Sequence, residues 1–138
     1  VDGVISVPEI WDLAAFQGFG QYADKLAAIS RGEFPLNKKS GAYVTSLVVA
    51  TGARSLFGFS GFSSNVAGQW IQWHDASKVP ASGAVPEGIL YVGPNGNFGT
   101  GFTTDGRRFW SGIILVNSTT GPTYTPGAAD TWFDVQYV

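Results

Sequence analysis

From residue 42 to the end of the chain, short apolar runs alternate with clusters of Gly, Pro, Ser and Asn, and this punctuation constrains the fold more than any other feature. Strand-length runs bounded by turn residues mark an antiparallel sandwich or barrel, whereas strands alternating with helical patterns would mark parallel βαβ units. Residues 42–50, 54–63, 69–74, 88–92, 97–103, 109–116 and 131–138 therefore read as strands. In the last of these, Phe133, Val135 and Tyr137 fall on one side and Trp132, Asp134 and Gln136 on the other, the alternation of a half-buried strand. Ile113-Ile114-Leu115-Val116 is apolar on both faces, which predicts a central strand or one covered on both sides by sheet, helix or a neighbouring subunit. In Phe57-Gly58-Phe59-Ser60-Gly61-Phe62 the alternation assigns Phe57 and Phe59 to the inner face and the glycines to a bend or bulge.

The connections are equally readable. Pro80 and Pro86 fix extended backbone around residues 79–86, and Asn95-Gly96 suits a tight turn. Residues 117–130 are polar and rich in Gly and Pro, too long for a minimal hairpin, which predicts a loop that is functional or packed against something. The first third differs. Ser6 and Glu9 have capping-box spacing with Pro8 in the first turn, and Ile10, Leu13 and Ala14, then Tyr22, Leu26 and Ile29, follow a helical period. The expected fold is mainly β: an antiparallel β-sandwich or jelly roll over residues 41–138, with a short N-terminal helical segment over 1–40 acting as an arm.

Composition narrows the function. Only 13% of residues are charged, against about 25% in an average soluble domain, while 14% are aromatic, a balance that contradicts disorder. A net charge of −2 with scattered basic residues gives no electrostatic footprint for nucleic acid or an anionic membrane, and no apolar run reaches the length of a membrane helix. The absence of Cys removes disulfides and thiolate metal sites.

Catalytic constellations are hard to assemble. The single histidine, His74, precedes Asp75, but adjacent strand residues project to opposite faces, so His74 reads as a hydrogen-bonded strand-end residue. Asp130 and Asp134 would share a strand face about 13 Å apart, beyond the roughly 5–9.5 Å of a glycosidase pair. The segment from Asn95 to Asp105 lacks the acidic density of a calcium loop, and no phosphate-binding glycine motif occurs. Asn117-Ser118-Thr119 matches a glycan acceptor triplet, a pattern common by chance. The expectation is a protein without cofactor or metal that is not an enzyme. What remains is aromatic: Trp70, Trp73, Trp110 and Trp132 are candidates for an interface or for stacking on a ligand, although most tryptophans in such a chain should fill the core. Arg107 and Arg108 could solvate a sheet edge or form a salt bridge between subunits.

The segments 57–62, Gln69-Trp70-Ile71-Gln72-Trp73-His74-Asp75-Ala76, Gly83-Ala84-Val85-Pro86, 112–118 and 127–134 are similar to those of small β domains encoded among the virion structural genes of tailed bacteriophages. The resemblance spans residues 42–138 and carries no catalytic signature. It implies a capsid decoration (cement) protein: a jelly-roll or β-tulip unit that assembles as a homotrimer on the capsid surface, with the major capsid protein as partner. A tail or fibre component is the near alternative. From another class, a carbohydrate-binding module would use Trp70, Trp73 or Trp132 as sugar-stacking platforms.

Overall fold

A computed structural model describes residues 35–138 and the single helical residue Ala23; the helical reading of the remainder of residues 1–34 lies outside the described residues. Nine strands follow from Leu36: β1 (Leu36–Lys39), β2 (Ser46–Thr51), β3 (Arg54–Ser63), β4 (Gln69–Asp75), β5 (Gly88–Val92), β6 (Gly96–Gly101), β7 (Arg107–Phe109), β8 (Gly112–Ser118) and β9 (Thr131–Tyr137). All pairings are antiparallel, and they form two sheets. The first has the order β1-β9-β3-β6, with β7 also paired to β3; the second has the order β2-β8-β4-β5. The protein is thus an antiparallel β-sandwich, as the strand punctuation requires.

The core lies between the sheets. Leu56, Phe59, Phe98, Phe109, Phe133 and Val135 from the first sheet meet Val49, Ile71, Trp73, Val92, Ile113 and Leu115 from the second. Phe59 touches Trp73 at 5.5 Å between ring centroids and Phe98 at 6.1 Å, and Phe98 meets Phe133 at 5.8 Å. These edge and tilted geometries let large rings interdigitate without stacking face to face.

Three local results depart from the sequence reading. Leu36–Lys39, assigned to the arm, is a strand paired with β9, so the sandwich begins at Leu36. Phe57 is not one of the buried core residues: β9 pairs Gln136 with Gly58 but Tyr137 with Leu56, and this bulge turns Leu56, rather than Phe57, inward with Phe59. The glycine-marked bulge was expected; its effect on the alternation was not. Finally, the single run at 109–116 is split. β7 belongs to the first sheet and β8 to the second, and the chain crosses between them at Trp110-Ser111. Gly112 makes the crossing possible: its φ is +151°, and a Cβ there would lie 2.6 Å from the Ala76 carbonyl oxygen and 2.7 Å from that of Ala50.

β8 is the central strand its apolar pattern demanded, with every residue buried. Ile113 and Leu115 face the core, while Ile114 and Val116 lie on the outer face beneath Tyr124. The cover is the chain's own 119–127 loop, which folds back over the sheet.

Candidate functional site

The ionisable and amide groups of the second sheet are committed to holding loops. Gln72, fully buried on the outer face of β4, places its Nε2 2.8–3.0 Å from the carbonyl oxygens of Thr120, Gly121 and Thr123. With the amide nitrogen fixed on these acceptors, Oε1 faces His74 Nε2 at 2.9 Å. His74 must therefore carry its proton on Nε2 and donate it. Its ring also meets Tyr124 at 5.6 Å. Burial pushes the His74 pKa below its ordinary value, with Glu87 pulling weakly the other way, so the ring stays neutral. Burial likewise raises the Tyr124 phenol.

Asp75 turns away from His74 and holds the crossing between sheets. Its carboxylate accepts the backbone N–H groups of Trp110 (3.0 and 3.1 Å), Ser111 (2.7 Å) and Gly112 (3.3 Å). Burial works to raise the Asp75 pKa, but the three N–H bonds and nearby Arg107 outweigh it and hold the carboxyl below its ordinary value.

A third cluster closes the opposite end of the sandwich. Asp130 Oδ1 lies 3.0 Å from both Gln69 Nε2 and Asn117 Nδ2, and its Oδ2 accepts from Asn65 at 2.8 Å. The Thr131 hydroxyl sits among them, 2.8 Å from Asn117 Nδ2. Asn117 is fully buried, so the folded chain cannot carry a glycan at that triplet. Among the described residues no group of three or more His, Cys, Asp or Glu is placed to hold a metal ion.

The aromatic candidates separate. Trp73 is 8% exposed and packed against Phe59 and Phe102, so it is a core residue rather than a stacking platform. Its indole lies over Gly88, where a Cβ would collide with the ring, and its Nε1 has no hydrogen-bond partner. Trp132 is partly buried on the outer face of the first sheet, opposite Phe62 on β3. Trp70 is partly buried on the outer face of the second sheet, above Gly121 and edge-on to Tyr91 at 5.2 Å. Trp110 is 70% exposed on the crossing turn, with the Arg108 guanidinium 5.1 Å from its ring centroid. Arg107 forms an ion pair with Glu87 at 2.9 Å within the chain. The structure therefore unites Arg108 with Trp110 and leaves Trp70 and Trp132 on the outer faces of different sheets.

Among the exposed apolar residues that the sequence analysis did not single out are Tyr91, 56% exposed, and Ile89, 40% exposed, both on the outer face of the edge strand β5. The available signal was a charge-free run, Gly-Ile-Leu-Tyr-Val, beside a glycine-containing turn. No protein family, curated protein or solved structure matches this chain.

Proposed function

We propose that the chain is a non-enzymatic structural protein of a bacteriophage virion, a capsid decoration protein that binds the assembled shell and bridges capsomers. The observation that carries this reading is how its groups are divided between inside and outside. His74, Asp75 and Asp130 are engaged in internal hydrogen bonds, while Trp110 stands exposed on a turn pinned by three bonds to Asp75. An exposed Trp on a backbone held by Asp75 and flanked by an arginine is equipped for contact with another protein, because little backbone freedom is lost on docking. The resemblance to virion proteins supports the reading; its segments overlap β3, β4, β8 and β9. Co-sedimentation with purified capsids of the encoding phage tests the reading. Saturable binding that Trp110→Ala weakens at least tenfold is expected; absence of binding at capsid-saturating concentration would refute it.

The carbohydrate-binding alternative draws on Trp70 and Tyr91. Their rings are inclined by 67°, so they do not form one flat platform, and this favours the protein-contact reading. Sugar-dependent quenching of fluorescence, lost in Trp70→Ala, would reverse that preference.

A further inference from the structure

The loop over the second sheet is closed by two kinds of contact. Gln72 holds the carbonyl oxygens of Thr120, Gly121 and Thr123. Tyr124 covers Ile114 and Val116, and its backbone is tied to residues 83–84: its N–H donates to Ala84 O at 2.8 Å and its carbonyl accepts from the Gly83 N–H at 2.7 Å. His74 sits beneath this cover, 3% exposed, with its ring against Tyr124. Among the described residues its side chain makes one hydrogen bond, from Nε2 to Gln72 Oε1. That bond uses the single N–H of the neutral ring and survives protonation, because Nε2 keeps its hydrogen. The second N–H of an imidazolium, at Nδ1, meets no acceptor among the described residues. A buried charge and donor without a partner is costly, and water relieves it only if the cover lifts.

Neighbouring charges do not supply the missing partner. Asp75, next on β4, is occupied by the Trp110, Ser111 and Gly112 N–H groups. Glu87, ahead of β5, attracts a charge on the ring, but its carboxylate is paired with Arg107 at 2.9 Å. β8 places Ile114 opposite His74, and the loop places Tyr124 there, a phenol that burial keeps neutral. His74 lies on the outer face of β4, whereas Ile71 and Trp73 face the core between the sheets. Lifting the cover therefore hydrates the ring without opening that core.

We propose that His74 is an acid-operated release for the 119–127 loop: its protonation lifts the loop from the second sheet and uncovers Ile114 and Val116 while the sandwich stays folded. The device belongs to the chain itself and is independent of what the protein binds. Its sign follows from the burial of the ring. The closed loop holds the His74 pKa below 6.5 and the open loop returns it to that value, so the open state takes up the proton first. Each pH unit below 6.5 then favours opening by up to about tenfold, until the closed-state pKa is reached.

Amide hydrogen exchange on the full-length chain tests it. With intrinsic rates taken out, the Gly83, Thr119, Tyr124 and Thr125 amides should lose about tenfold in protection between about pH 7.5 and pH 5.5. Their exchange should depend only weakly on low concentrations of urea, the mark of a local opening that exposes little surface. His74→Gln should remove the pH dependence. Ring-proton shifts of His74 in the unmodified chain should titrate with a midpoint below 6.5. Equal protection at both pH values, a loss that persists in His74→Gln, or loop amides with the full urea dependence of global unfolding would overturn the proposal. So would a ring midpoint at or above 6.5, a result that needs no variant to fold.

Discussion

Gln72→Leu isolates what holds the 119–127 loop over the second sheet. The side chain is fully buried, and its two amide hydrogens are shared among three carbonyl oxygens while its oxygen accepts from His74. The substitution keeps the apolar volume roughly constant but removes two donated bonds and one accepted bond. At about 1 kcal/mol net for each bond the loss is about 3 kcal/mol. This is a large fraction of a typical domain stability of about 5–15 kcal/mol. Denaturant unfolding followed by tryptophan fluorescence should show it as a lower midpoint at unchanged slope. Hydrogen exchange locates the effect. The amides of Thr119, Tyr124 and Thr125 bond to Thr125 O, Ala84 O and Ser118 Oγ, and all three should exchange faster when the clamp is gone. Gln72→Glu should cost more at pH 7, because a carboxylate would face three carbonyl oxygens, and should recover partly in acid as the carboxyl gains a proton to donate. A loss below about 1 kcal/mol with unchanged exchange would show that the apolar cover of Tyr124 over Ile114 and Val116 suffices, and the clamp argument would fail.

Asp75→Asn should destabilise by about 1.5–3 kcal/mol, the range for hydrogen bonds to a charged group, and broaden the fluorescence of Trp110 by loosening its turn; unfolding titration and emission spectra check both. Because the Asp75 pKa is held below its ordinary 3.8, the stability it supplies is present above that value and is lost as pH falls from there through the lower folded-state pKa, so Asp75→Asn should flatten the acid limb of a stability–pH profile. His74 acts at higher pH. Its pKa is lowered from 6.5, so the unfolded chain takes up a proton first, and stability should fall as pH drops below 6.5 by at most about 1.4 kcal/mol per pH unit; urea midpoints of His74→Gln should lack this slope. Gly88→Val should unfold or severely destabilise the chain, since a side chain there must displace the Trp73 indole from the core, and thermal melts compared with Gly93→Ala, at an unobstructed site, measure the difference.

The fold was legible because most of its determinants are local. Alternation in β9, the doubly apolar β8 and the turn residues around β4, β5 and β6 each act over a few positions, and their agreement fixes a sandwich. What escaped the sequence was decided at a distance. Nothing in Arg107-Arg108-Phe109-Trp110-Ser111-Gly112 announces a change of sheet, because the three N–H groups that make the corner are satisfied by Asp75, on another strand. The bulge at Phe57 is signalled by Gly58, but which neighbour it turns inward depends on the register with β9. Leu36–Lys39 carries two lysines and a single large apolar residue, a poor strand signal that pairing with β9 overrides. The candidate tryptophans could be named from sequence but not sorted, because Trp70 and Trp73 differ only in the face on which β4 places them.

The scarcity of charge has a cause inside the fold. A sandwich with long loops must satisfy many backbone groups away from the ladders, and an ionised side chain buried for that purpose costs more desolvation than an amide or hydroxyl. Gln72, Asn117 and Ser118 do this work while almost wholly buried, the buried Gln69 and Thr131 bond other side chains, and Asp130 is joined by three amides. Interior polar positions are thus filled by uncharged groups before any surface contact is considered. The argument for association therefore rests on exposed apolar residues, Trp110 and Tyr91 among them, which no internal bonding need explains. Trp110 lies on the crossing turn and Tyr91 on β5, so contacts through the two should be separable by mutation. Trp110→Ala should weaken capsid binding at least tenfold and Tyr91→Lys should leave it within about twofold, whereas an equal loss in both variants would mean that one continuous surface, rather than the crossing turn, mediates contact.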